Sequence, residues 1–190
     1  IIDDYHEKRG VSEALTALGN RSDVKVISMS IGSPFSISRV KDAVRYAYNR
    51  GKMIVAAGGT STSFTTWYGV IFPANMSETV AVTGVKEGQY SKCDVCHTGS
   101  KIDFTVQMQR TNGTDNKVPV LSYYNGQTDY VGGSSVATAT TAGIAALVWA
   151  KHPTWSRSQV LAKMKQSSDF YPNKHSEYGY GNINALQAVQ

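Results

Sequence analysis

A pair of serines behind two glycines is the first candidate for chemistry in this sequence. Glycines at 132 and 133 precede Ser134 and Ser135, and glycines let a backbone turn approach another segment closely. The proline-free, alanine-rich stretch 136–151 follows and predicts one helix. Amide N–H groups at a helix N-terminus have no intrahelical acceptor and favour negative charge. The pattern fits a nucleophilic serine whose reaction creates an oxyanion, or a serine that only caps a buried helix.

The run Cys93-Asp94-Val95-Cys96-His97 holds the other residues suited to chemistry. Two cysteines this close predict a small disulfide loop in a secreted protein, or a metal or redox site in a reducing compartment. With His97 the run also matches the attachment pattern of c-type haem, which makes electron transfer the least favoured alternative. The flanking residues are typical of a surface loop.

Composition indicates one globular unit, residues 1–190. The chain is 41% apolar and 17% charged, which is ordinary for a soluble domain. No apolar run approaches the ~20 residues of a membrane span. The net charge of +5 is spread along the chain without a basic stripe. We therefore expect neither a membrane nor a nucleic acid as a partner.

Apolar runs and helical periodicity alternate along the chain. Buried strands are predicted where β-branched residues cluster, at 24–29, 53–57 and 79–85. Helices are predicted at 11–18, 36–50, 136–151 and 157–166, with a short one after 184. Weaker strand candidates are 102–106 and 118–124, separated by a turn at 112–116. Strand, helix and strand within about 35 residues is the size of a parallel βαβ unit, so we predict an α/β fold with a largely parallel sheet.

Several of these stretches, in order, resemble the subtilisin-like serine proteases, or subtilases. Gly-Ser-Ser-Val-Ala at 133–137 resembles the family's Gly-Thr-Ser-Met-Ala nucleophile motif. Ser-Met-Ser-Ile-Gly at 28–32 is similar to the Asn-Met-Ser-Leu-Gly strand of its substrate cleft, and Val-Ala-Ala-Gly at 55–58 to the segment before its oxyanion asparagine. Further similarities lie at 72–82, 151–155 and 179–184. The chain is identified as the C-terminal part of a subtilase catalytic domain, with helices expected to flank its parallel sheet.

The resemblance implies a role for each matching residue. Ser135 would be the nucleophile that forms the acyl-enzyme of a serine endopeptidase, and Ser134 its small neighbour, which would also contact substrate. Two segments would bind an extended peptide or protein substrate: Ser30, Ile31 and Gly32, and Ala57 and Gly58. Main-chain hydrogen bonds would hold the substrate as an added strand while pockets read alternate side chains. The resemblance also implies a secreted protein, and calcium as its only candidate cofactor.

Two positions depart from the family pattern. The oxyanion asparagine falls on Gly59, which has no side-chain donor, and Thr60 is the nearest hydroxyl. Thr60 either serves the oxyanion or is a plain turn residue. Ile71 stands where a glycine often opens the specificity pocket, which predicts a shallow pocket. The lost asparagine favours the alternative function, a non-catalytic subtilase-like module that binds peptides or partners.

The chain carries neither of the motifs that supply the family's catalytic aspartate and histidine, Asp-x-Gly and His-Gly-Thr. We expect both in an N-terminal segment of the same protease, removed by proteolysis or present as another chain. No histidine of this chain has a spacing that marks it as the base. We therefore predict no peptidase activity from this chain alone, and an open sheet edge and apolar face that make it associate.

Overall fold

The fold comes from a computed structural model, which describes residues 4–61, 69–109, 122–124, 127–129 and 133–190. The helices in these ranges are α1 (Asp4–Asn20), α2 (Ser38–Asn49), α3 (Ser134–Lys151), α4 (Arg157–Gln166) and α5 (Ala185–Val189). The strands are β1 (Val26–Met29), β2 (Met53–Ala57), β3 (Thr79–Lys86), β4 (Phe104–Gln109), β5 (Ser122–Tyr124) and β6 (Gln127–Asp129). Of the sequence predictions, Gly132, the turn at 112–116 and the first part of 118–124 lie outside the described residues.

Four parallel strands form the central sheet in the order β1-β2-β3-β4. Ile27 pairs with Ile54 across the first two strands, and Val82 with Phe104 across the last two. The central strands β2 and β3 are mostly apolar because both faces of the sheet are covered there. Within the described ranges, no strand pairs with the outer edge of β1. The predicted α/β fold with a parallel sheet is confirmed.

Alternation of side chains along β2 divides the core into two layers. Met53 and Val55 face α3 and share a core cluster with Val148 of that helix. Ile54 and Ala56 point to the opposite face, where α1 and α2 pack. All four of these β2 residues are at most 1% exposed. The sheet therefore lies between helical layers, and its strand ends are held firmly enough to carry a site.

The helix α3 crosses the sheet and is apolar on nearly all sides. Its sheet-facing residues include Ala137, Ala145 and Val148, which are fully buried. The opposite face is exposed, and we call it the α3 stripe: Ala139, Gly143, Ala146, Leu147 and Ala150. The helix α4, which starts with a capping box between Ser156 and Gln159, and α5 pack on α3 from another side.

The helix α1 extends beyond its predicted range of 11–18. It runs from Asp4 to Asn20, so Gly19 lies inside the helix and not just after it. A Cβ at Gly19 would lie 3.3 Å from the Cα of Ala47 in α2. The glycine therefore allows two helices to approach closely, which from sequence alone is indistinguishable from a C-terminal stop signal.

Two strand predictions also need correction. The strand predicted at 102–106 begins at Phe104, because the Ile102 amide N–H closes a turn onto Gly99 O and the Asp103 carboxylate accepts the amide N–H of Ala81. In the stretch predicted at 118–124, the described part pairs antiparallel with Gln127–Asp129, a strand that was not predicted. Asn-Gly at 125–126 is the hairpin signal that could have found it.

Candidate functional site

Ser135 lies in the first turn of α3 and is exposed. The N-cap residue is Gly133, with φ +94°, so neither serine caps the helix and that alternative is wrong. A Cβ at Gly133 would lie 3.4 Å from Thr60 Oγ1, which shows how closely the turn passes the end of β2. The first turn of α3 leaves amide N–H groups without intrahelical acceptors beside an accessible hydroxyl.

The residue after β1 connects that strand to the serine. Ser30 Oγ donates a hydrogen bond to the backbone carbonyl oxygen of Ser135, at 2.8 Å. Parallel strands present their carboxyl ends at one edge of the sheet, where ligands of α/β proteins bind. Ser135 therefore lies over that edge, and a residue of the predicted substrate segment holds its backbone.

The residues after β2 approach the same helix from the other side. Gly58 and Gly59 are buried, and Thr60 is exposed. Thr60 Oγ1 lies 2.8 Å from Ser134 Oγ and accepts the Ser134 amide N–H at 3.4 Å. Two hydroxyl groups in contact use one of their two hydrogens between them, so one remains to donate to a third group.

Ile71 joins the two predicted substrate segments. Its amide N–H donates to the carbonyl oxygen of Gly58 at 3.0 Å. A Cβ at Gly32 would overlap the Ile71 side chain, with Ile71 Cγ1 3.0 Å away. Six residues were predicted to bind substrate. Ser30, Ile31 and Gly32 lie on one side of Ile71 and Ala57 and Gly58 on the other, while Ser134 is buried at the start of α3.

An apolar cavity of about 350 Å³ adjoins the segment that contains Ile31 and Gly32. Val11 of α1, Val40 of α2 and Phe72 contribute to its walls, and Phe35, 71% exposed, stands at its rim. Exposed apolar walls next to a groove are suited to an apolar side chain. The sequence did not predict this cavity, because its walls come from α1, the stretch 29–37, α2 and residues 72–73.

The three histidines whose side chains are described are engaged elsewhere. His152 stacks on Trp155 with ring centroids 3.7 Å apart, and His175 packs between Phe170 and Tyr178. His97 Nδ1 bonds to Gly69 O and its Nε2 to Ser61 Oγ. These contacts agree with the expectation that none of them is the base for Ser135.

The stretch 93–97 lies in a loop whose flanking residues are largely exposed, as predicted, but three of its own side chains are buried. Cys93 and Cys96 form a disulfide, so the sulfur atoms are not available for haem attachment or metal binding. Cys93, Cys96 and His97 are at most 4% exposed. Burial lowers the pKa of the His97 imidazole below its usual value, and the nearby Lys92 adds to this. The sequence did not indicate the contacts of His97 because its ring partners lie 28 and 36 positions away.

Metal ligands do not cluster in the described part of the chain. Among those residues no group of three or more His, Cys, Asp or Glu could hold a metal ion. Calcium remains an expectation from the family resemblance.

Comparisons with known proteins identify the family. Residues 3–181 match the Subtilase family. The chain is 31% identical over 179 residues to subtilisin E of Bacillus subtilis (strain 168), covering 92% of this chain and 42% of that protein. It is 32% identical over 179 residues to subtilisin of Bacillus pumilus, covering 92% of this chain and 59% of that protein.

Solved structures share the fold. Sphericase matches with a TM-score of 0.73 at 23% identity, over 93% of this chain and 63% of that one. A protease from Pseudoalteromonas arctica PAMC 21717 matches with a TM-score of 0.76 at 22% identity, over 94% of this chain and 57% of that one. The chain thus spans only part of the length of the relatives it matches. On the family match and the shared fold together, this chain belongs to the subtilase family and has a subtilisin-like α/β fold.

Proposed function

We propose that this chain is the nucleophile-bearing part of a serine endopeptidase, with Ser135 forming the acyl-enzyme. One observation carries the proposal: Ser135 is exposed at the start of α3, while Ser30 and Thr60 connect that turn to the ends of β1 and β2. A hydroxyl between two segments suited to bind an extended peptide is where acyl transfer needs its nucleophile.

In the proposed reaction, Ser135 Oγ bonds to the carbonyl carbon of the scissile peptide and its proton passes to a histidine. The C–N bond then breaks, the leaving amine takes that proton, and Ser135 holds the acyl group as an ester. Water, deprotonated by the same histidine, attacks the ester carbonyl carbon. The ester C–O bond then breaks, Ser135 Oγ takes the proton back from the histidine, and the acid is released. The histidine acts as base or as acid in each step, and among the described residues no histidine is bonded to Ser135.

The oxyanion is proposed to take hydrogen bonds from the Ser135 amide N–H and from Thr60. Ser134 Oγ and the Ser134 amide N–H both point to Thr60 Oγ1. Ser134 is 1% exposed and Thr60 is exposed. When Ser134 donates to Thr60, the hydrogen of the Thr60 hydroxyl is the one left for the cleft. Gly59 then contributes only its backbone.

The catalytic aspartate and histidine are proposed to come from an N-terminal segment of the same protease, joined to this chain or associated with it. Two surfaces support a place for that segment: the outer edge of β1, without a strand partner in the described ranges, and the α3 stripe. An unpaired strand edge and an exposed apolar face are surfaces that proteins normally cover.

The proposed location is outside the cell, because buried disulfides such as Cys93–Cys96 persist in oxidising compartments. In the part of the chain that the structure describes, no helix has the length and apolar content to cross a bilayer. A secreted peptidase would act on peptide or protein substrates, and calcium is a cofactor only by family resemblance.

The second candidate is a non-catalytic module that binds peptides in the same cleft. It is favoured by Gly59, which lacks a side-chain donor, and by the bond that already occupies Thr60. An active-site phosphonate distinguishes the two functions because it reacts only with an activated serine.

The test is phosphonate labelling of the full-length protein, with its N-terminal segment, and of this chain alone. We expect labelling at Ser135 in the full-length protein, none in Ser135→Ala, and none in this chain alone. Ser176→Ala, which removes an exposed serine outside the cleft, is the matched control and should label normally. Unlabelled Ser135 in a folded full-length protein would favour the binding module.

A further inference from the structure

We propose that His97 is a positioning residue: its imidazole fixes the turn at residues 59–61, and so holds Thr60 against Ser134. The disulfide loop Cys93–Cys96, which precedes His97, bonds to both the turn and β3. The positioning itself is a property of this chain, and its consequence for catalysis rests on the proposed function.

The first step is that His97 occupies the space of a side chain at position 59. A Cβ at Gly59 would overlap His97 Nδ1, with the ring carbons Cγ and Cε1 2.9 and 3.0 Å away. Gly59 also has φ +129°, a conformation that other residues rarely adopt. The His97 ring therefore leaves no room for an asparagine side chain at position 59.

The second step is that His97 binds both neighbours of Thr60. Its backbone N–H donates to Gly59 O at 3.0 Å, and its Nε2 lies 3.0 Å from Ser61 Oγ. Its Nδ1 lies 2.8 Å from Gly69 O. A carbonyl oxygen only accepts, so these partners assign the hydrogen to Nδ1 and leave Nε2 to accept from the Ser61 hydroxyl.

The third step is that His97 is itself held on the sheet. The Thr83 hydroxyl of β3 donates to His97 O at 2.5 Å, and the Cys93 amide N–H donates to Gly84 O at 3.0 Å. On the other side, Ser61 N–H donates to Val95 O at 2.6 Å, inside the loop that the disulfide closes. The turn is thus attached to β3 through His97 and its loop.

These contacts converge on the position of Thr60. Residues 59 and 61 are each bonded to the 93–97 stretch, while Thr60 itself forms an isolated bridge to Cys96 and points its hydroxyl at Ser134. Removing the ring leaves space beside Gly59 and takes away the partner of the Ser61 hydroxyl, while the Ser61 amide N–H stays bonded to Val95 O. The turn then gains room to shift away from Ser134.

A double-mutant cycle on this chain tests the steric part. Gly59→Ala is made with His97 present and with His97→Ala, and the unfolding equilibrium is measured by denaturant titration. The strain at φ +129° is the same in both backgrounds and cancels. We expect Gly59→Ala to reduce the folding equilibrium constant about tenfold more when His97 is present, as for residues in contact. Equal effects in both backgrounds would overturn the proposal.

If a variant fails to fold, a measurement on the unsubstituted chain still tests the proposed hydrogen bonds of His97. Nitrogen chemical shifts of the His97 ring should identify the neutral form protonated at Nδ1. A ring protonated only at Nε2 has no hydrogen for Gly69 O and contradicts the proposed bonding.

The catalytic consequence is read from labelling of full-length protein over a range of phosphonate concentrations. We expect His97→Ala to lower the maximal labelling rate about tenfold or more with half-saturation unchanged, since Thr60 acts on the developing oxyanion. His97→Asn, whose amide reaches Gly69 O, should recover part of that rate. A change only in the phosphonate concentration at half-saturation contradicts a positioning role for His97. If the unsubstituted full-length protein is not labelled at all, the proposed peptidase function is rejected. The double-mutant cycle then still tests whether His97 positions the turn.

Discussion

Thr60 carries the hydroxyl group nearest to the place where an asparagine donates to the oxyanion in the family pattern. It reaches that place one residue late and from a shorter side chain. Its contact with Ser134 leaves one hydrogen of the two hydroxyls for a substrate. In the proposed oxyanion site, a pair of hydroxyls and a helix terminus therefore stand in place of an amide side chain.

Replacing Thr60 with valine tests this arrangement, because valine keeps the shape and removes the hydroxyl. In full-length protein we expect Thr60→Val to slow phosphonate labelling of Ser135 by roughly 10²-fold, a magnitude taken from the oxyanion asparagine of a subtilisin. The variant should also lose about 1–3 kcal/mol of stability, since buried Ser134 Oγ loses its partner. Thr60→Ser is the matched control and should retain most of the rate. Normal labelling of Thr60→Val would assign Thr60 to the turn alone.

The sequence predicted the residues of the site unequally. Ser135 was found because its motif is local: two glycines, a serine pair and a helix lie together in the chain. Thr60 was found by its distance from a missing asparagine, and the structure brings it to Ser134, 74 positions away. The sequence did not predict that His97 contacts the turn after β2. A buried polar cluster with distant partners has the same composition as an exposed loop, so composition does not distinguish them.

At the scale of elements, the ends of β1 and β2 form the cleft, and Ile71 decides how deep it is. Its amide binds Gly58 and its side chain fills the space above Gly32. The side chain therefore occupies the gap between the segments, and the shallow specificity pocket stays a prediction.

Opening that gap should change the substrate preference. In full-length protein, Ile71→Gly should raise kcat/KM for a peptide with phenylalanine before the scissile bond, relative to the alanine peptide, by about tenfold or more. The measured quantity is the ratio of the kcat/KM values of two substrates on one enzyme. A lower fraction of folded enzyme reduces both values equally and leaves the ratio unchanged. Ile71→Leu preserves the volume and should leave the ratio near its original value. An unchanged ratio in Ile71→Gly would place the pocket elsewhere.

Elements were predictable where one local rule decided them. The strand Met53–Ala57 was predicted with its observed ends because an apolar run stops at glycines. The helix Arg157–Gln166 was predicted because Ser156 caps it. The ends of α1 and β4 were wrong because tertiary contacts decide them: Ala47 of α2 packs against Gly19, and the Asp103 carboxylate binds the backbone of β3. Propensity alone does not contain such contacts.

For the whole molecule, the α3 stripe is the apolar surface that stands out among the described residues. Leu147 in the centre of the α3 stripe is 59% exposed, and its neighbours on that face are small. The stripe offers apolar side chains, and the edge of β1 that has no strand partner in the described ranges offers backbone groups. Both are kinds of surface that bind another segment.

We therefore expect this chain, in isolation, to self-associate through the α3 stripe. Leu147→Glu should shift the chain toward monomer by about tenfold or more in dissociation constant, because a carboxylate resists burial in an apolar contact. Sedimentation over a range of concentrations measures it. Leu186→Glu, at a leucine 69% exposed on α5, adds the same charge off the stripe and should shift association much less. Equal shifts from the two variants would point to net charge, and a monomer at all concentrations would show that the face needs no cover.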